Sequence, residues 1–199
     1  MSINSKYWDE YYKEFNKLNL PDKYFLSEIS KLKAGSALDI GSGLGAESCE
    51  LSKRGWVVTS VDFSGYALKL LKGTIKKNNY NIKIVKKDFI LFIPDKLYNL
   101  VYLGFIHVKP KDQKIILSNA ISCLDKNGIF LYNGYTYDGI ENDEDSEFKS
   151  LFPSLTEVLY NILQTDLKII YAEQKLKKSY FEHDEPGSYY MSVVIKGTI

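Results

Sequence analysis

The chain has 199 residues, 45% hydrophobic and 14% aromatic, which suits one domain with a full core and excludes a disordered chain. Its 26 basic and 25 acidic residues leave a formal charge of +1, an even balance that argues against a nucleic-acid partner, because affinity for a polyanion comes largely from Lys and Arg neutralising phosphates. No apolar stretch approaches the roughly 20 residues that span a bilayer, and the opening MSINSKYWDEYY lacks the basic-then-apolar pattern of a signal peptide. A cytoplasmic protein with no membrane partner is therefore expected.

The first segment, Tyr7 to Leu18, carries Tyr7, Trp8, Tyr11, Tyr12, Phe15 and Leu18 at helical spacing around Asp9, Glu10, Lys13 and Glu14. This spacing predicts an amphipathic helix with an aromatic face. A second helix is expected after Pro21 and Asp22, with Tyr24, Phe25, Ile29 and Leu32 inward. Such stripes are most often core. The alternative is a helix lying across a ligand on the open side of the domain.

The stretch Ala37 to Glu47, ALDIGSGLGAE, passes from an apolar run directly into glycines. A strand ending at Ile40 and a helix starting near Gly45 leave Gly41, Gly43 and Gly45 in the turn between them, where residues without a Cβ let a ligand approach the backbone. A second apolar run, Val57 to Val61, ends in Asp62, twenty-one positions after Gly41. In a doubly wound sheet an acid there lies beside the glycine turn and can accept hydrogen bonds from an adenosine ribose. The spacing GxGxG departs from the GxGxxG of dinucleotide sites, because position 46 is Ala. Asp39, two residues before the first glycine, would repel phosphate and suit a cationic aminoacyl group.

With ALDIGSGLG as a first motif and VTSVDFSGYAL as a second, the sequence resembles the class I S-adenosylmethionine-dependent methyltransferases. The resemblance implies that Asp39 and the Gly41, Ser42, Gly43 and Gly45 segment face the methionine part of the cofactor. It places Asp62 at the ribose with Phe63 beside it, and Leu103 among the cofactor contacts at the end of a later strand. N-terminal helices cover the cofactor in many small-molecule members, where a YWDEYY-like stretch recurs, so Tyr11 and Tyr12 are candidate substrate contacts.

After Asp62, Ser64 can cap a helix that runs to about Asn78, and Asn78, Asn79 and Asn81 form a turn before a third strand, Ile82 to Val85. Lys86-Lys87-Asp88-Phe89 follows, and the resemblance implies that Asp88 accepts from the adenine amine while Phe89 packs on the ring. Pro94 and Asp95 break the chain before LYNLVYLGFIHVKP, which matches the family's fourth strand and loop with two departures. Asn99 stands where Asp is usual, and His107 is the one histidine of a usual pair. At the C-terminal end of a parallel strand a side chain faces the ligand crevice, so His107 is the candidate for touching substrate or taking a proton. A histidine that merely closes the loop is the alternative.

Pro110 should open a helix over Lys111 to Leu124. Asp125 to Gly128 reads as a turn and Ile129 to Tyr132 as a fifth strand. Asn133 to Gly139 suggests a substrate loop in which Tyr135 and Tyr137 can stack on or hydrogen-bond a small ligand, and the acidic run Glu141 to Glu147 reads as solvated surface. Ser154-Leu155-Thr156-Glu157 has capping-box form and opens a helix through Leu163. Two strands, near Leu167 to Leu176 and Tyr189 to Lys196, close the chain as a pair. His183-Asp184-Glu185 between them invites a metal reading, but consecutive side chains splay apart, so no metal is expected. Cys49 and Cys123 form no motif and read as reduced packing residues. The basic runs Lys76-Lys77, Lys86-Lys87 and Lys175 to Lys178 read as solvated charge.

The expected fold is α/β, a Rossmann-like doubly wound seven-stranded mixed sheet, parallel except for its antiparallel last strand, with helices on both faces. The expected organisation is a single domain with an N-terminal helical lid over 1–33, a cofactor core over 34–135, and a substrate loop with a C-terminal helix and strand pair over 136–199. The resemblance implies S-adenosylmethionine as cofactor, S-adenosylhomocysteine as product and a small-molecule acceptor, in a monomer or homodimer. The closing segment is similar to small methyltransferases of the tellurite-resistance type. A nicotinamide-dependent oxidoreductase and a non-catalytic methyltransferase-like subunit are the alternatives.

Overall fold

The structure, a computed structural model, describes residues 4–136, 152–178 and 189–199, with the backbone alone over 175–178 and 189–194. Tyr137, the acidic run Glu141 to Glu147 and the His183-Asp184-Glu185 stretch lie outside the described residues. Seven strands form one sheet: β1 Ser36–Ile40, β2 Val57–Asp62, β3 Ile82–Lys86, β4 Tyr98–Gly104, β5 Leu124–Tyr135, β6 Lys168–Lys178 and β7 Tyr189–Thr198. Their order is β3-β2-β1-β4-β5-β7-β6. The first five pair in parallel, and β7 runs antiparallel to both β5 and β6.

Around the sheet lie α1 Ser5–Glu14, α2 Lys23–Ile29, α3 Ala46–Lys53, α4 Gly65–Asn78, α5 Pro110–Ser122 and α6 Leu155–Ile162. β1 and β4 are buried along most of their length, as strands covered on both faces are. One face packs Leu38, Val101 and Phe130 against Ile116 and Leu117 of α5 and Val158 of α6. The other packs Ala37, Leu100, Tyr102 and Leu131 against Phe25 and Ile29 of α2 and Leu51 of α3. The strand order reverses between β1 and β4, which opens a crevice beyond their C-terminal ends where open α/β sheets bind ligands.

Local signals produced the elements they promised. Ser64 Oγ accepts from Ala67 N at 3.1 Å and caps α4. Ser154 and Glu157 close a reciprocal capping box at α6. Asp22 caps α2 by accepting from Tyr24 N at 2.9 Å and Phe25 N at 3.2 Å.

Two expectations need correction. The first helix ends at Glu14, short of Leu18, and Leu18 is exposed. None of its residues is fully buried, so its aromatic face is not core. Instead the rings pack on one another, Trp8 with Tyr11 at 5.2 Å and Tyr11 with Phe15 at 4.9 Å between centroids. The Asp125 to Gly128 turn is a bulge within β5, because Leu124 already pairs with Tyr98 and pairing resumes at Leu100 with Ile129. Asn127 takes the left-handed conformation there, at φ 64°. Asn99 lies at the N-terminal end of β4, away from the crevice, where its Oδ1 accepts from Ser36 N at 2.9 Å and Ser36 Oγ at 3.1 Å. Its amide supplies the acceptor needed to tie β4 to β1, so the departure from Asp leaves the crevice untouched.

Cys49 and Cys123 are buried free thiols. Among the described residues no helix is long and apolar enough to cross a membrane.

Candidate functional site

The glycine turn joins β1 to α3 in the crevice. Gly41 N and Ser42 N donate to Val61 O at 2.8 and 3.1 Å, which fastens the turn to the end of β2. Gly43 and Gly45 both have positive φ, 50° and 83°. A Cβ at Gly43 would strike the Tyr12 hydroxyl, and one at Gly45 would strike the Leu71 side chain of α4. Both conformation and space therefore demand glycine. Gly45→Ala is expected to cost about 2–6 kcal/mol of stability, the sum of a left-handed non-glycine residue and a core collision. A urea titration measures it, and a loss below about 0.5 kcal/mol would contradict the packing described.

Asp62 closes the turn from the other side. Its Oδ2 accepts from Gly43 N and its Oδ1 from Ser64 N, each at 2.8 Å. Burial raises its carboxyl above the usual range despite these bonds. Asp39 is turned away beneath the turn, its Oδ2 accepting from Ser48 Oγ at 2.5 Å, with Ser60 Oγ a further 2.5 Å from Ser48 Oγ. Burial first, then the charge of Glu47, pushes Asp39 up to about 7. Asp22 N donates to Glu47 Oε1 at 3.1 Å. Asp39, Glu47 and Asp62 all act on the Tyr12 hydroxyl, so the turn sits in a negative field that favours a cation over a pyrophosphate.

A cavity of about 300 Å³ opens between this turn, the end of β3 and the start of α5. It brings together Gly41, Asp62, Phe63, Asp88, Phe89, His107 and Tyr12 from across the chain. Asp88 is exposed at the rim and accepts from Ile90 N at 3.0 Å. Phe89 is buried and stacks on Phe92 at 5.3 Å. Asp39, Ser42, Gly43, Gly45, Tyr11 and Tyr135 are not part of its lining. Leu103 faces a small neighbouring void with Tyr132 and Val158.

His107 is half-buried between two rings, Trp8 at 5.6 Å and Phe152 at 4.9 Å. Desolvation lowers its imidazole to about 4, so it is neutral at neutral pH. Tyr135 is buried and packs on Phe105 at 4.9 Å and Phe152 at 6.1 Å. Phe105 holds a left-handed conformation, φ 50°, with its N–H donating to Asn133 O at 2.6 Å. Strain of this kind at a cavity edge re-aims the chain and marks functional loops. Sequence reasoning missed Trp8, Asp9 and Phe105 as parts of the site. Trp8 was legible in one respect, since it precedes Tyr12 by one helical turn and so shares its face.

Residues 37–128 match the family model described as a methyltransferase domain. The chain is 28% identical over 120 residues to the release factor glutamine methyltransferase of Streptococcus pneumoniae (strain ATCC BAA-255 / R6), covering 56% of this chain and 43% of that protein. It is 26% identical over 139 residues to the glycine/sarcosine N-methyltransferase of Halorhodospira halochloris, covering 67% of this chain and 52% of the relative. The chain thus spans about half the length of the curated relatives it matches. Its fold is similar to that of TehB from Haemophilus influenzae, with a TM-score of 0.76 and 19% identity over 96% of this chain and 66% of that one.

Proposed function

We propose that this chain, which carries a class I S-adenosylmethionine-dependent methyltransferase domain, transfers the methyl group of S-adenosylmethionine to a nucleophilic atom of a small molecule and releases S-adenosylhomocysteine. The observation that carries the reading is the conjunction of Gly41 of the glycine turn, Asp62 and Asp88 around one cavity of about 300 Å³, beside the acidic groups Asp39, Glu47 and Asp62 that act on Tyr12. These residues fit a nucleoside with a cationic aminoacyl end.

When bound, the sulfonium supplies an activated methyl group. The protein's own contribution is positioning. Asp62 accepts from Gly43 N on Oδ2 and from Ser64 N on Oδ1, and its carboxylate has acceptor capacity beyond these for a ribose hydroxyl. Asp88 offers an acceptor to the adenine amine at the opposite rim. Trp8 and Tyr12 of α1 line the cavity, and a helix across its mouth would favour a small acceptor over a macromolecular one. Neutral His107 stands at the same cavity and can take a proton from the acceptor as it is methylated.

Titration calorimetry with S-adenosylmethionine, S-adenosylhomocysteine and NAD tests the reading. Binding of the first two alone is expected. Binding of NAD alone, or of none of the three, would overturn it. His107→Phe preserves a ring between Trp8 and Phe152 but removes the nitrogens. Once an acceptor is found, this variant is expected to lose about 100-fold in kcat with cofactor affinity within about twofold. An unchanged kcat would leave His107 a packing residue.

A further inference from the structure

Helix α1 presents three residues to three different elements. The Trp8 ring lies 5.6 Å from that of His107, and the Tyr12 hydroxyl sits directly over Gly43. Between them Asp9 leaves the crevice and reaches the start of α4, where its Oδ1 accepts from Ser64 Oγ at 2.6 Å and from Tyr66 N at 2.9 Å. Ser64 already caps α4 with its own side chain. Asp9 supplies a second acceptor and a full negative charge from 55 residues upstream, which is the charge a helix N-terminus attracts. The same Ser64 donates its N–H to Asp62. One continuous set of bonds therefore joins the roof of the cavity to the acid at its floor.

Asp9 is the residue of α1 whose side chain bonds to α4. No residue of the helix is fully buried, and its aromatic side chains pack largely on one another. The Tyr12 hydroxyl also occupies the space just above the turn, where the aminoacyl end of a ligand would have to lie. For such a ligand to enter, α1 must lift and then reseat.

We propose that Asp9 is a positioning residue that latches α1 over the site, setting Trp8 against His107 and Tyr12 over the glycine turn, and thereby governs how long cofactor and product stay bound. The proposal rests on the methyltransferase reading for what the lid covers, and on geometry alone for the latch itself. Asp9→Ala takes no side chain from the core, so the domain is expected to fold. Asp9→Asn keeps an acceptor of equal capping strength.

Two measurements test the latch. In ligand-free protein, hydrogen exchange of the α1 amides is expected to quicken about tenfold in Asp9→Ala, equivalent to about 1.4 kcal/mol of opening free energy, with sheet amides unchanged. In stopped-flow displacement, S-adenosylhomocysteine is expected to leave Asp9→Ala about tenfold faster than wild type. Asp9→Asn should restore both values to within about threefold. Wild-type exchange in α1 of Asp9→Ala, or equal release rates from the two proteins, would overturn the proposal. The exchange arm needs no cofactor, so wild-type protein that fails to bind S-adenosylhomocysteine would remove the functional reading while α1 exchange still decides the latch.

Discussion

Asp62→Ala is expected to lower affinity for S-adenosylmethionine by about 100- to 10,000-fold while leaving a folded domain. A hydrogen bond to a charged group contributes about 1.5–3 kcal/mol, and two ribose hydroxyls lose their acceptor together. At about 1.4 kcal/mol per tenfold, the loss falls in that range. The carboxylate also holds Gly43 N and Ser64 N at 2.8 Å, so its removal loosens the turn that receives the ligand. Stability should suffer less. The two N–H groups lose their partner, at about 1–3 kcal/mol for each that stays dry. Against this, Asp62 no longer carries the desolvation cost that raises its carboxyl in the native state. A domain of this size holds about 5–15 kcal/mol, so the variant folds. Calorimetric titration beside a urea melt separates the two effects. Wild-type affinity in a folded Asp62→Ala protein would sink the assignment of this cavity to a nucleoside.

What could be read from the chain divides by the range of the interaction that decides each feature. The glycine turn, the Ser64 cap and the Ser154 to Glu157 box depend on residues within one turn of each other, and Asp62 on a fixed distance from the first glycine, so all were visible as spacing. The seven-stranded order came from a resemblance carried by those same motifs. Features decided by distant partners were hidden. Asp9 looked like one polar residue on an amphipathic helix, and its meaning lies in Ser64 and Tyr66. His107 was visible as a crevice residue, but its neutral state follows from burial between rings that include Trp8 and Phe152. Periodicity placed the aromatic face of α1 correctly, yet it could not say whether that face met the core or a cavity. Asn99 illustrates the reverse case. A departure from a family pattern at the ligand-binding strand is a structural tie at its far end.

Asp39→Asn is expected to separate the cost of the buried acid from its use. With its pKa pushed up to about 7 from the usual carboxylate value of 3.8, native Asp39 keeps a proton that the unfolded chain releases. Between about pH 4 and pH 7 the native state therefore binds more protons than the unfolded one, and stability falls as pH rises through that window, levelling above it. Asp62, also raised by burial, acts with the same sign. The neutral amide imitates the protonated acid and can still accept from Ser48 Oγ. Asp39→Asn should thus flatten the slope, and at pH 8 the ligand-free variant should melt several degrees above wild type, about 2–4 °C for each kcal/mol recovered. Binding should move the opposite way. Opposite charges attract through the low-dielectric turn, so ionised Asp39 favours a cationic ligand. Wild-type affinity for S-adenosylmethionine should then rise about tenfold from pH 6 to pH 8, with S-adenosylhomocysteine, which lacks the sulfonium charge, gaining less. In Asp39→Asn both dependences should shrink to about twofold or below. Melting curves and titrations across that range read the two arms independently. Parallel slopes in wild type and variant would assign the titration to another group and leave Asp39 as a packing residue beneath the turn.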